Sequence, residues 1–391
     1  MPNERMPGTI AVHGVEGARH PGDPLVPPLV QSSSFLGSGE GELLYTRYGN
    51  NPNQLQVAEK LAALEGTEAA LVLGSGMGAI AMTCLATVQS GDHILASQDL
   101  YGATRQLFEH EFPSRGIETT MVDLSQPGGW ERGLRANTRL LYLEIPANPT
   151  LRVYDPRVAS AVAHEAGAVL AIDATFASPV NLQASQFGVD LIIHSATKYL
   201  GGHSDLIAGA VCGSRKAIEG IRGMMKLYGP SIDPHTAWLL NRGLRTLGLR
   251  VRQQNAQALE LARWLEGRKG VRTVIYPGLP SHPDHRCAAE VLSGFGGMMA
   301  VVVAGGADGA DRFTEALELA LVAPSLGGVE TLVSQPRLTS HVGLSEEDRA
   351  RIGIPDGFVR LSIGVEDIED LRQDLQRGLD AVIDGGSSTV V

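Results

Sequence analysis

Residues Asp190–Gly209 read DLIIHSATKYLGGHSDLIAG. The apolar run Leu191–His194 has the length and composition of a strand buried on both faces. Directly after it stand Ser195-Ala196-Thr197-Lys198. A lysine flanked by small hydroxyl residues at a strand end is poorly explained by solubility or packing. Partial burial there makes the amine available for a Schiff base, and the hydroxyls of Ser195 and Thr197 can donate to a phosphate.

Upstream, short apolar runs recur at Ala69–Leu73, His93–Ser97, Ile117–Val122, Leu140–Ile145 and Val169–Asp173. Between them lie stretches apolar at helical spacing, such as Val158–Ala166 and the segment NQLQVAEKLAALEG from Asn53. Such alternation predicts βαβ units and a mostly parallel sheet. Ligands of such sheets bind outside the carboxyl ends of the strands, and two further strand ends carry informative residues. Gly74-Ser75-Gly76-Met77-Gly78 follows Ala69–Leu73 and opens a helix whose N-terminus can receive a phosphate. It lacks the dinucleotide GxGxxG spacing and the Walker lysine, and alone it fits a plain tight turn equally well. Asp173 closes the run AVLAID; a lone aspartate there is more often a helix cap than a partner for a ligand cation. Taken jointly, the three strand ends supply a Schiff-base lysine, a carboxylate that keeps a pyridine nitrogen protonated, and a phosphate cup. Those are the parts of a site for pyridoxal 5′-phosphate (PLP).

A chain of 391 residues exceeds what one core usually holds. The expected division is an extended Pro-, Gly- and Ser-rich arm over 1–50, a large α/β domain over 51–245 and an α+β domain over 246–391. A long helix over Thr236–Glu266 links the last two, followed by a strand in GGMMAVVVA, a helix over Asp308–Ala320 and a terminal helix after Val365. The tail GGSSTVV is expected to fray.

The net charge of −11 disfavours nucleic acid and anionic membrane surfaces as partners. Cys84, Cys212 and Cys287 are odd in number and form no CxxC, so neither a disulfide framework nor a zinc site is expected, and a reducing cytoplasm fits. The N-terminus is polar, without an apolar signal core, and no apolar run reaches the roughly 18 residues that span a bilayer. His282-Pro-Asp-His285 lacks a third metal ligand and reads as a solvated loop. Glu346-Glu347-Asp348-Arg349 reads as the first turn of a helix.

The Asp190–Gly209 stretch resembles the lysine signature of the Cys/Met-metabolism PLP-dependent enzymes, which include cystathionine γ-synthases, cystathionine β- and γ-lyases, methionine γ-lyases and homoserine-ester sulfhydrylases. Supporting stretches are YTRYGN at 45–50, GSGMGAI at 74–80, DLYGAT at 99–104, EIPANPT at 144–150, NRGLRTLGLR at 241–250, SLGGVETL at 325–332 and VRLSIGVEDIEDL at 359–371. Together they run from about Val30 to Asp380. The resemblance implies PLP-dependent transferase fold type I, with a large, mostly parallel seven-stranded sheet domain and a smaller C-terminal α+β domain. It implies Lys198 and Tyr101 as catalytic residues. Ser75, Gly76, Met77, Tyr101, Asp173, Ser195, Thr197 and Lys198 would bind cofactor, and Arg360, Asn148 and Ser325 would bind substrate. Without the family, Tyr101 reads as a buried core aromatic, Arg360 equally well as a surface ion pair, and Asn148 as a turn residue. Tyr45 and Arg47, unremarkable by themselves, would complete a neighbour's site in a homodimer or homotetramer.

The implied reaction is γ-elimination or γ-replacement on a small γ-substituted amino acid, through an external aldimine and a vinylglycine-type intermediate. Cystathionine, an O-acylhomoserine, methionine and S-adenosylmethionine are the candidate substrates. A PLP β-lyase or aminotransferase of the same fold and a nucleotide-binding non-enzyme are the alternatives. The chain departs from the family pattern in four places. It has Asp173-Ala174-Thr175 for Asp-Asn-Thr, and Ala103 where methionine γ-lyases have Cys. Pro324 stands where cystathionine γ-lyases often have Glu, and the arm reads GNNPN in place of GNPT.

Overall fold

The computed structural model describes residues 5–14, 20–37, 41–126, 128–340, 342–343 and 345–387. The last four residues of the tail expected to fray lie outside them. The chain divides into two compact units. The first comprises Met1–Gln98, Gln106–Leu143 and Asp155–Gly248; the second comprises Asp99–Arg105, Glu144–Tyr154 and Leu249–Val391.

In the first unit, strands β1 (Ala69–Leu73), β2 (His93–Ser97), β3 (Glu118–Val122), β4 (Thr138–Glu144), β5 (Val169–Asp173), β6 (Leu191–Ser195) and β7 (Gly209–Gly213) form one sheet. Its order is β1-β7-β6-β5-β4-β2-β3. β2 pairs in parallel with β3 and β4, as β5 does with β6, whereas β7 runs antiparallel to both β1 and β6. Two reversals restore direction, so β1, β5 and β6 all end at the same edge of the sheet. That edge carries Ser75, Asp173 and Ser195–Lys198. Leu73, Leu95, Ile172, Ile192, Ile193 and Val211 are fully buried, each worth about 1.5–3 kcal/mol of hydrophobic stabilisation.

β7 has no place among the apolar runs read from the sequence, because glycine stands at both of its ends. Packing demands the first of these. A β-carbon on Gly209 would lie 2.1 Å from the Ser75 carbonyl oxygen.

The helix Pro52–Glu65 starts at a capping box between Asn51 and Gln54, with proline in its first turn, and ends at Gly66 in the left-handed region. The single helix expected over Thr236–Glu266 is instead two, Pro234–Leu244 and Leu247–Leu265. Gly243 fits against the Gly201 carbonyl, 2.3 Å from where a β-carbon would sit. The Thr246 amide and hydroxyl both bond to the Gly243 carbonyl, a local alternative to the helical ladder. Within the stretch expected to be an extended arm, Pro7–His13 forms a short helix.

In the second unit, β8 (Val271–Ile275), β9 (Met298–Val303), β10 (Leu321–Val322), β11 (Leu332–Ser334) and β12 (Phe358–Ser362) form a sheet in the order β10-β11-β12-β9-β8. Its core gathers Tyr276, Met299, Phe313, Leu361, Leu375 and Leu379, all buried. The helix expected over Asp308–Ala320 spans Gly306–Glu315, and the chain then turns into β10. Glu346–Arg351 is helical, capped by Ser345, as its acidic first turn suggested.

The segments 99–105 and 144–154 are held within this unit by charge. Arg152 grips Asp284 through Nε at 2.5 Å and Nη2 at 3.0 Å, and Asp284 also accepts from the Val153 amide at 3.0 Å. Asp99 accepts from the Thr150 hydroxyl at 3.1 Å and from the Tyr154 phenol at 2.5 Å. The loop expected to be solvated around His282 is therefore not so. His282 is 4% exposed, and its Nδ1 accepts from the Asp284 amide at 3.1 Å.

Gly209→Ala is expected to lower stability by about 1–3 kcal/mol, read from a urea unfolding midpoint. Burial holds the His282 imidazole down at about 4, with the charges of Arg152 and His285 adding to the effect and Asp284 opposing it. Its neutral form is thus favoured in the fold. The stability it confers is full above the ordinary histidine value and is lost as pH falls toward 4. His282→Asn should flatten the pH dependence of the unfolding midpoint between about 6.5 and 4; an unchanged slope contradicts the assignment.

Candidate active site

Ser75 caps the helix Gly76–Thr87, its Oγ accepting from the Gly78 amide at 3.0 Å. The amides of Gly76 and Met77 belong to the first turn of that helix, where the dipole favours an anion. A β-carbon on Gly76 would lie 2.8 Å from Ser195 Oγ. Glycine there lets the end of β6 close on the helix start and sets the Ser195 hydroxyl beside it. Backbone donors, a helix N-terminus and a hydroxyl in one cradle fit a phosphate.

Asp173, the last residue of β5, is 8% exposed. Its Oδ1 accepts from the Thr175 amide at 2.9 Å. Desolvation raises its affinity for a proton, and Thr175, the charge of His194 and the Tyr142 phenol partly oppose the rise. Among the described residues no lysine or arginine is a hydrogen-bond or ion-pair partner of this carboxylate. A buried anion of this kind suits the protonated ring nitrogen of PLP, so the residues present fit that cofactor. The Thr175 hydroxyl also ties β5 to β6 by accepting from the Ser195 amide at 2.7 Å.

Lys198 is half-buried in the turn after β6, its amide bonded to the Ser195 carbonyl at 3.1 Å and its carbonyl to the Gly202 amide at 2.8 Å. The Thr197 hydroxyl donates to the Ala208 carbonyl at 3.2 Å and accepts from the Ala208 amide at 3.0 Å. Thus Ser75, Gly76, Met77, Asp173, Ser195, Thr197 and Lys198 all stand in the first unit at one sheet edge. Tyr45 and Arg47 are also in this unit. Arg47 lies over the rings of Tyr45 and Tyr48, at 5.6 and 5.1 Å, and donates to the Lys226 carbonyl at 2.5 Å.

The second unit holds the remaining candidates. Arg360 lies on the central strand β12, 8% exposed, so it is not a surface residue. Its Nη1 donates to Asn148 Oδ1 at 2.9 Å and its Nη2 to the Ser325 carbonyl at 3.2 Å. Asn148 is buried, and both the Ile145-Pro146 bond before it and its own bond to Pro149 are cis. Tyr101 is 41% exposed, which excludes the core-aromatic reading.

Sequence reasoning missed Glu144, whose carboxylate accepts from the Tyr101 amide at 2.7 Å and the Asn148 amide at 3.3 Å. One buried side chain therefore links two of the candidate segments. Its only sequence signal is its place at the head of EIPANPT. His194 and Glu65, whose Nε2 and Oε1 lie 2.5 Å apart and whose side chains are 1% and 0% exposed, were also missed. In sequence they read as the end of an apolar run and the last turn of an ordinary helix.

The chain matches the Cys/Met metabolism PLP-dependent enzyme family over residues 8–380. Cystathionine γ-synthase 1, chloroplastic, of Nicotiana tabacum is 41% identical over 389 residues, covering 96% of this chain and 72% of that protein. O-succinylhomoserine sulfhydrylase of Pseudomonas aeruginosa is 40% identical over 351 residues, covering 90% of this chain and 87% of that protein. The crystal structure of cystathionine γ-synthase from Xanthomonas oryzae pv. oryzae with aminoacrylate and cysteine superposes with a TM-score of 0.93 at 36% identity, covering 98% of this chain and 100% of that one. The alternative of a nucleotide-binding protein without chemistry is set aside by these matches. Among the described residues no helix is long and apolar enough to cross a membrane. With its sheet topology and strand-end residues in place, the chain belongs to the Cys/Met metabolism PLP-dependent enzyme family and is a PLP enzyme of fold type I.

Proposed function

We propose that this enzyme carries out γ-replacement on an O-acylated homoserine, joining a thiol sulfur to Cγ as the acyl group leaves as a carboxylate. The observation that carries the amino-acid half is the Arg360 fork, buried on β12 and oriented by Asn148 and Ser325. Planar, two-point donation of this kind matches an α-carboxylate. Replacement is favoured by the named activities of the tobacco and Pseudomonas relatives, a synthase and a sulfhydrylase. It is also favoured by Ala103 and Pro324, which depart from the patterns of methionine γ-lyases and cystathionine γ-lyases.

PLP, when bound, supplies an electron sink for the charge left at Cα after proton loss. The Nζ of Lys198 anchors the cofactor and serves as the base at Cα. Asp173 holds positive charge on the ring nitrogen. Ser75, the amides of Gly76 and Met77, and the Ser195 hydroxyl hold the phosphate. The Thr197 hydroxyl joins them only by giving up its bond to Ala208. Tyr101 offers an aromatic face and a phenol that moves protons at the substrate. Tyr45 and Arg47 complete a neighbouring subunit's phosphate site in a homodimer or homotetramer.

The direct test supplies the loaded enzyme with O-succinylhomoserine and cysteine, and separately with methionine or S-adenosylmethionine alone. Succinate release matched by thioether formation is expected. Faster production of 2-oxobutanoate and ammonia from methionine overturns the reading. Arg360→Ala should raise KM for the amino acid tenfold to a hundredfold, the loss of a charge-assisted bond worth about 1.5–3 kcal/mol, with a smaller change in kcat.

Asp173 gives a prediction of opposite signs. Its proton affinity is raised in the fold, so its cost to the apoprotein grows as pH rises above the ordinary carboxylate value and is full above the shifted one. Asp173→Asn keeps the acceptor for the Thr175 amide and removes the charge. The apo variant should melt no lower than the parent at pH 7 while binding PLP at least about tenfold more weakly. A variant that binds PLP as the parent does contradicts the role given to Asp173.

A further inference from the structure

We propose that Ser362 and Gln254 are positioning residues for the substrate's α-carboxylate, which together fix the loop Ser325–Gly328 so that the Ser325 carbonyl sets the guanidinium of Arg360. This rests on the carboxylate-binding role given to Arg360 above.

The conformation of the loop needs a cause. Ser325 has a φ of 89°, in the region that favours glycine. It is followed by Leu326, Gly327 and Gly328, and two successive glycines leave the backbone many other paths. A serine persists in such a conformation where its surroundings over-determine it, and strain of this kind collects at binding sites.

Three side chains hold the loop from two directions. Arg360 Nη2 donates to the Ser325 carbonyl at 3.2 Å, and Ser362 Oγ accepts from the Gly327 amide at 2.8 Å. Arg360 and Ser362 are two residues apart on β12, so they leave the strand on the same face. Leu361, between them, lies in the buried core with Phe313 and Leu375. One strand thus grips the loop at two points. The third point comes from the helix Leu247–Leu265, where Gln254 Nε2 donates to the Gly328 carbonyl at 2.7 Å.

Stability does not account for Gln254. Its side chain is fully buried, and its Oε1 has no hydrogen-bond partner among the described residues. An amide buried with its acceptor unused is costly, and an apolar side chain of similar volume avoids that cost. What the amide supplies instead is a donor at the Gly328 carbonyl. With Gly327 and Gly328 both anchored, the Ser325 carbonyl is held toward Arg360. That carbonyl and Asn148 Oδ1, 2.9 Å from Nη1, then fix the plane of the guanidinium. A fork fixed in advance loses less freedom when it meets a planar carboxylate.

The test titrates the PLP-loaded enzyme with L-2-aminobutanoate, which has no γ leaving group, and with (S)-2-aminobutan-1-ol, which has no carboxylate. Binding is read from the change in cofactor absorbance. Ser362→Ala and Gln254→Met should each weaken binding of the amino acid about fivefold, the loss of one neutral hydrogen bond, and of the amino alcohol less than about twofold. In an Arg360→Ala background each should change binding of the amino acid less than about twofold. Circular dichroism establishes which variants fold, and a single folded variant suffices for the reading. Equal weakening of both ligands, unchanged binding of the amino acid, or an undiminished effect in the Arg360→Ala background overturns the proposal and leaves the role of Arg360 standing. Failure of both variants to fold assigns the two residues to stability and overturns it as well. If Arg360→Ala itself binds the amino acid as the parent does, both roles fall.

Discussion

The carboxylate of Asp173 is buried at the end of β5, where desolvation is the largest influence on it. The ends of β5 and β6 can be understood as an arrangement around that charge. Thr175 donates its amide to it and uses its own hydroxyl to fix the neighbouring strand. A fold selected for stability alone has better options than a buried carboxylate. A fold that must hold a cationic ring nitrogen has a use for it.

Sheet direction is the second constraint. Lys198 and the Ser75–Met77 cradle come from strands far apart in sequence, yet β7 sits between them and reverses direction on both sides. That insertion brings the carboxyl ends of β1 and β6 to the same edge. It requires glycine at position 209, where the carbonyl of Ser75 leaves no room for a side chain. The glycine that makes room for the Ser75 backbone is thus also the residue that hides β7 from a reading based on apolar runs.

Six apolar runs gave six strands of the large sheet within a few residues: inner strands such as β2 and β5 are buried along nearly their whole length and so are nearly continuously apolar, whereas the edge strand β3 is partly exposed and reads ETTMV. The strand-end residues were legible only jointly: the glycine-rich stretch and the aspartate each admit a turn or a helix cap, and the three strand ends together supply the parts of one site. What escaped the sequence depends on tertiary contact. The break at Arg245–Thr246 follows from Gly243 against Gly201 and from a threonine hydroxyl competing for a helical carbonyl. His282 looked solvated because the contact that anchors its loop, Arg152 gripping Asp284, joins residues far apart in sequence. Glu144 and Glu65 are single acidic residues in ordinary local patterns, and only their burial gives them meaning. The roles of Tyr101, Asn148 and Arg360 came from resemblance. The structure adds that Arg360 is buried and bonded to Asn148.

The most direct test of the central claim is to reduce the loaded protein with borohydride and map the modified peptide by mass spectrometry. A phosphopyridoxyl group on Lys198, and on no other lysine, is the predicted result. A label on a different lysine, or none on protein incubated with PLP, would contradict the account.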